Sequence, residues 1–139
     1  MRVIIDTNCL IASIPPKNPE YWLYLAFRKK NFDWVISNEI LFEYEEKISE
    51  FYSPQTADLV LNILLTAPNI IRLEPFIKWH LITADADDDK FADLAISSNA
   101  NYLVTNDHHF DVLKTLPFPT VKVVSFEAFR EILGYLPPQ

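Results

Sequence analysis

The strongest constraint on this fold is an alternation. Five short apolar runs, RVII at 2–5, WVI at 34–36, NIIRL at 69–73, YLVT at 102–105 and VKVV at 121–124, read as strands, and the stretches between them carry apolar residues at helical period. Helices are expected over about 20–30, 38–52, 55–66, 88–99 and 125–133. In the first, Tyr21, Leu25 and Arg28 are spaced along the helix. In the second, Asn38 is the expected N-cap, and Ile40, Leu41, Tyr44, Ile48 and Phe51 form the apolar stripe. The third starts just after Pro54, and Ser125 is the expected cap of the last. Strand and helix in alternation predict an α/β architecture with a mostly parallel sheet covered on both faces. The functional crevice of such a sheet lies beyond the carboxyl ends of its strands.

Length and composition narrow the possibilities. The 139 residues, half of them apolar and with no low-complexity tract, fit one domain over 1–139 with one core. Gly134 is the only glycine, which excludes the glycine-rich phosphate loop and the dinucleotide fingerprint, where several glycines let backbone approach phosphate. Cys9 is the only cysteine, so neither a disulfide framework nor a cysteine-rich zinc site is expected. No apolar run reaches the roughly 18 residues of a membrane span. The opening residues, interrupted by Asp6 and Asn8, do not read as a signal peptide. A cytoplasmic protein is expected.

Acids concentrate at strand ends and in one cluster. Asp6 follows the first strand directly, and Asp107 follows YLVT after one intervening residue, so both are expected at the same sheet edge. The run DADDDKFADLA at 85–95 opens the helix that leads into the fourth strand; a crossover helix beginning there is expected to start at the other edge unless it reaches over. Asp89 and Asp93 are four apart and share a helical face, while Phe91, Leu94 and Ala95 are available to the core. Asp85, Asp87 and Asp88 suit a loop and helix start, where carboxylates cap free amides. A calcium loop of the EF-hand type fails, because Lys90 stands where glycine is required and Ile96 where the bidentate glutamate is required. Two phosphotransfer patterns fail as well: Asn8 replaces the second aspartate of a D-x-D phosphatase, and no phosphoacceptor follows NIIRL.

Taken together, VIIDTN, Glu43 in the second helix, DDDKFADLA, and YLVTND with its Asp107 18 residues after Asp89 resemble the PIN-domain nucleases, in particular the small prokaryotic members that act as toxins of toxin–antitoxin pairs. The resemblance spans nearly the whole chain. It implies a PIN-like three-layer α/β/α fold and an acidic quartet of Asp6, Glu43, Asp89 and Asp107. Asn8 and Thr105 would be supporting polar groups, and Asp93 an extra acid that shares or supplements the role of Asp89. Glu39, Glu46 and Glu50 share nearly the same face as Glu43, which leaves a solvated stripe open as the reading of that helix. The resemblance further implies endoribonuclease cleavage leaving a 5′-phosphate and a 3′-hydroxyl, a small antitoxin partner and a homodimer.

The chemistry fits those residue types. Carboxylates gathered in one pocket raise one another's pKa unless cations neutralise them. Magnesium and manganese prefer carboxylate and water oxygens. The candidate acids Asp6, Glu43, Asp89, Asp93 and Asp107 account for most of the net charge of −7, so the acidity does not argue against a nucleic-acid substrate. With no nucleophilic side chain evident, the expected attacker is water activated by one or two metals. Arg28, Lys29, Lys30, Lys90 and Lys114 are the candidate phosphate-binding cations. His108 and His109 adjoin Asp107. The competing readings are a PIN-like module that binds RNA or protein without cutting it, and a metal-dependent phosphatase of small esters.

Overall fold

The computed structural model describes residues 1–14 and 21–135. Its centre is a five-stranded sheet, all parallel, in the order β3-β2-β1-β4-β5, formed by β1 (Arg2–Ile5), β2 (Asp33–Ile36), β3 (Ile70–Arg72), β4 (Tyr102–Val104) and β5 (Val123–Val124). β1, β3, β4 and β5 lie within their expected runs, and β2 begins one residue before its own, at Asp33. Six α-helices accompany the strands among the described residues: α1 (Thr7–Ala12), α2 (Trp22–Arg28), α3 (Asn38–Phe51), α4 (Pro54–Thr66), α5 (Asp89–Ser97) and, after β5, α6 (Phe126–Ile132). They lie on both faces of the sheet, which gives the expected α/β/α layering. Val3, Ile4 and Ile5 have no exposed surface, as a central parallel strand covered on both sides requires.

Local chemistry sets the helix boundaries. The Ser37 side chain accepts from the Ile40 amide and caps α3, so the cap falls one residue before the expected Asn38. Ser53 caps α4 through the Thr56 amide, with Pro54 already inside its first turn, where a proline needs no donor. Ser125 caps α6 through Ala128, as expected. Along α3, Ile40, Tyr44 and Ile48 are buried, but Phe51 at the helix end is largely exposed and leaves the expected stripe. α2 starts at Trp22 and buries Trp22, Leu23, Ala26 and Phe27, whereas Leu25 faces outward; position 20, where this helix was expected to begin, lies outside the described residues. α1, immediately after Asp6, was not expected.

Chain direction places the site. From β1 the chain moves to β2 and β3 on one side, then returns across the sheet to β4 on the other side of β1, so the strand order reverses between β1 and β4. The helix making that return must run antiparallel to both parallel strands, from the carboxyl end of β3 to the amino end of β4. α5 therefore starts at the carboxyl edge, which corrects the expectation of an opposite start and brings the aspartate cluster to the edge where Asp6 and Asp107 emerge.

Candidate metal and nucleic-acid site

The site grows from two adjacent strand ends. The Asp6 amide donates to the Val104 carbonyl at 2.9 Å, which continues the β1–β4 ladder by one rung. The chain then turns into α1 with Asp6 as its N-cap, and Asp6 Oδ1 accepts from the Thr7 amide at 2.8 Å. Its other oxygen, Oδ2, accepts from the Thr105 hydroxyl at 2.7 Å, and Thr105 Oγ1 in turn accepts from the Asp107 amide at 3.0 Å. Thr105 thus fixes both acids from between them. Asp6, Asn8, Cys9, Ala12, Asn106, Asp107 and Phe126 line one pocket of about 220 Å³. Asn106 is oriented through the Phe126 amide, which donates to its Oδ1 at 2.9 Å.

Asp6 is buried, and this is where its charge becomes costly. Burial pushes its pKa up to about 6 against the hydrogen bond from Thr105, and the charges of Asp88 and Glu43 push in the same direction as burial. Glu43 joins the site through Thr7, whose hydroxyl donates to Glu43 Oε2. The other Glu43 oxygen lies 3.0 Å from Lys90 Nζ, and that ammonium also donates to the Asp87 carbonyl at 2.6 Å. Lys90 therefore acts as a fixed internal cation within the cluster. Glu43 is in this way distinguished from Glu39, Glu46 and Glu50, none of which reaches Thr7.

Asp88 is the acid that the sequence reading assigned only to capping. The 3-10 turn Ala86–Asp88 delivers it to the start of α5, where Oδ2 lies 3.2 Å from His109 Nδ1; the same imidazole nitrogen is 3.5 Å from Asp107 Oδ1. Burial raises the Asp88 pKa, His109 opposes it by hydrogen bonding, and Asp107 and Asp85 raise it further. His109 is raised, first by its hydrogen bond to Asp88 and then by Asp107. Asp85, Asp88 and His109 each offer a ligand atom, all within 4.8 Å of one another. Thr7 and Asn106 are further contributors that the sequence reading did not single out; Thr7 had a signal in the DTN triplet, Asn106 in its place one residue before Asp107.

Asp89 and Asp93 face elsewhere. Asp89 Oδ1 accepts from the Ile82 amide at 2.9 Å, and Asp93 Oδ1 from the Trp79 amide at 3.0 Å. Both line a neighbouring pocket with Glu39, Lys78, His80, Asp87 and Lys90. The structure thus gathers Asp6, Asn8, Thr105 and Asp107, brings Glu43 in through Thr7, and sets Asp89 and Asp93 one pocket away. Arg28, Lys29 and Lys30 stand before β2, whose Asp33 pairs with Arg2, and so at the amino edge, a full strand length from the acids. Lys114 is paired with Asp111 at 3.1 Å in the 3-10 helix His108–Thr115.

The donors suit a hard divalent ion. Asp6, Asp107, Asn8 and Asn106 present oxygen atoms in one pocket, Asp88 adjoins it through the His109 ring that it shares with Asp107, and the raised Asp6 pKa shows that one hydroxyl and one amide do not fully offset its buried charge. A cation at this place would hold the carboxylates ionised at neutral pH.

This arrangement, acids at the reversal point of a parallel sheet, has known counterparts. A PIN-domain sequence profile matches residues 2–109, and the chain belongs to the PIN-domain family. That family comprises nucleases, hydrolases acting on nucleic acid, which generally use divalent metal ions. No curated protein matches the chain. Among solved structures, VapBC2 from Rickettsia felis bound to a promoter DNA fragment aligns at 24% identity and TM-score 0.61, over 90% of this chain and 98% of that one. DNA-bound VapBC from Salmonella typhimurium aligns at 16% identity and TM-score 0.61, over 91% and 98%. FitAB bound to an IR36 DNA fragment aligns at 16% and 0.58, over 89% and 94%. No helix among the described residues is long and apolar enough to cross a membrane.

Proposed function

We propose that this protein is a magnesium- or manganese-dependent endoribonuclease and the toxin member of a toxin–antitoxin pair. The observation that carries the reading is the convergence of Asp6, Asp107 and Asp88, from three separate segments, at the switch point of the sheet. Asp6 and Asp107 would hold the metal, with Asp88 beside them and Asn8 and Asn106 as neutral oxygen donors. The bound cation would lower the pKa of water and offset phosphate charge. Thr105 ties the Asp6 carboxylate to the Asp107 backbone amide, and Thr7 holds Glu43 toward them, where a carboxylate not committed to metal can accept a proton from the attacking water. Asp89 and Asp93 support the site from the adjoining pocket. Lys90, paired with Glu43, presents positive charge toward the phosphate backbone.

The partner proposals rest on the likeness to toxin-type PIN proteins: a small antitoxin, and a homodimer of this chain. A short reading frame adjoining the gene and encoding a DNA-binding protein that co-purifies with this one would support the first. The decisive experiment incubates wild type and Asp6→Asn with end-labelled RNA, with magnesium or manganese and with chelator. Metal-dependent internal cleavage with 5′-phosphate products, lost in the variant, is expected. Cleavage that survives chelator, or an equally active Asp6→Asn protein, overturns the proposal.

A further inference from the structure

Between β3 and the aspartate cluster the chain has no regular structure, yet it is tied down at three points. At its start, Glu74 Oε1 accepts from the Asn38 amide at 2.8 Å. Farther along, the Trp79 amide donates to Asp93 and the Ile82 amide to Asp89, and the Ile82 side chain is buried. His80, between the last two ties, is in the left-handed region at φ 52, a conformation uncommon for a residue other than glycine. Such a loop has a defined shape.

What it displays is unusual. Phe76 is 99% exposed and Ile77 more than half exposed; Lys78 and His80 are exposed, and Trp79 is half-buried. Trp79 meets the exposed ring of Phe118 edge-on, with centroids 6.3 Å apart. Aromatic and cationic side chains thus interleave along PFIKWH, and Lys78 and His80 share a pocket with Asp89, Asp93 and Lys90. The cation and ring series runs from this loop to the edge of the acidic site, where Lys90 contacts Glu43.

We propose that residues 76–80 form a base-stacking platform that holds a single-stranded nucleic acid beside the acidic site. The inference rests on the nuclease reading for the identity of the strand, and adds to it where that strand is gripped. The Phe76 and Trp79 rings, with Lys78 between them in the chain, match a strand whose bases are free to stack and whose phosphates need positive charge. A protein-binding patch would instead be expected to collect its apolar groups in a charge-depleted centre. A duplex keeps its bases stacked internally, out of reach of isolated rings. The acidic pocket repels phosphate on its own, so cations at its rim are where affinity for the backbone must come from.

Tryptophan provides the test. Trp22 and Trp34 are 4% and 2% exposed, which leaves Trp79 as the tryptophan that solvent and ligand reach. The experiment titrates the Asp6→Asn protein in magnesium with a single-stranded oligonucleotide and with the matching duplex, reading tryptophan emission and its shielding from acrylamide. The expected result is altered emission and shielding by the single strand, with much weaker binding of the duplex. Phe76→Ala, at a side chain that touches almost nothing, should weaken binding about tenfold, the range of one lost base stack. Lys78→Gln should reduce the salt slope by about one counterion. Unchanged affinity in Phe76→Ala and Lys78→Gln, equal binding of duplex, or a dimer that Phe76→Ala dissociates overturns the platform. Metal-dependent cleavage by wild type would stand in each of those cases, so the two readings fail separately.

Discussion

Two pockets a few residues apart use aspartate in opposite ways. In the pocket at the β1–β4 junction, the Asp6 oxygens accept from one hydroxyl and one amide within a buried, negatively charged setting, and the Asp6 pKa climbs to about 6. In the pocket beside α5, Asp89 and Asp93 accept backbone amides of the preceding loop and secure its path. The first set is arranged at an energetic cost that a cation would offset; the second is arranged to fix a chain segment. Chemical identity does not separate a ligand from a clamp here. The separation lies in whether the nearest donors belong to the fold or are still to be supplied.

The largest effects should fall on the first pocket. Asp6→Asn and Asp107→Asn are expected to lower the single-turnover cleavage rate by several kcal/mol of lost charge stabilisation, on the order of a thousandfold. Asp88→Asn should follow them more closely than Asp89→Asn does. An Asp89→Asn protein as inactive as Asp6→Asn, alongside a near-normal Asp88→Asn, would reverse the comparison.

Next in size is a stability effect with a definite sign. The folded-state pKa of Asp6 lies near 6, above the 3.8 of an unperturbed aspartate, so folding favours its protonated form. The stability this group contributes is complete below about pH 3.8 and is lost as pH rises through 6. In chelator, Asp6→Asn should therefore gain relative to wild type across that window, by at most about 3 kcal/mol. The gain is trimmed because an amide NH2 opposite Thr105 leaves that hydroxyl without its acceptor. Denaturant melts of both proteins at pH 4 and pH 7.5 measure the difference. Magnesium should restore wild type but not the variant.

The second pocket predicts a smaller and different response. Asp93 is buried with its oxygen on the Trp79 amide, so Asp93→Ala leaves that donor unsatisfied and should cost about 1–3 kcal/mol. Asp93→Asn keeps an acceptor oxygen and should cost little. Hydrogen exchange would show faster exchange at Trp79 and Ile82 in the alanine variant, with the sheet amides unchanged. Equal exchange in both variants would remove the clamp.

Which of these roles could be read from residues alone follows from physical scale. The strands and the longer helices announce themselves because burial repeats along them: Ile40, Tyr44 and Ile48 keep the helical period, and Val3 to Ile5 form an unbroken apolar run. α1 spans six residues, too short for a period to show, and its only signal was Asp6 serving as strand end and cap at once. Asp6 and Asp107 fall at one edge because Asp6 directly follows β1 and Asp107 comes within three residues of the end of β4. Adjacent aspartates are harder, since one residue along a helix turns a side chain by roughly 100°. Where the 3-10 turn hands over to α5 decides which of Asp88 and Asp89 faces Asp6. The loop at 74–82 shows its aromatic and basic composition in sequence, but its ties use backbone amides, which every residue but proline carries.

The smallest effect should come from the far edge of the sheet. Arg28, Lys29 and Lys30 form the densest basic run in the chain and were the obvious choice to hold phosphate. They precede β2 on the amino side, while the acids follow β1 on the carboxyl side, and the four residues of β1 separate the two by about 13 Å at roughly 3.3 Å each. At physiological salt the screening length is about 8 Å, so exposed charges so placed contribute little at the cleavage site. Neutralising all three to glutamine should change the cleavage rate by less than about twofold at physiological salt and more at low salt, where the screening length approaches 30 Å. Lys78→Gln, a single change on the carboxyl side, should exceed the triple variant in its effect on RNA affinity. A triple variant that loses more than tenfold at physiological salt would mean that the strand wraps the sheet from one edge to the other, and that both edges contribute to substrate binding.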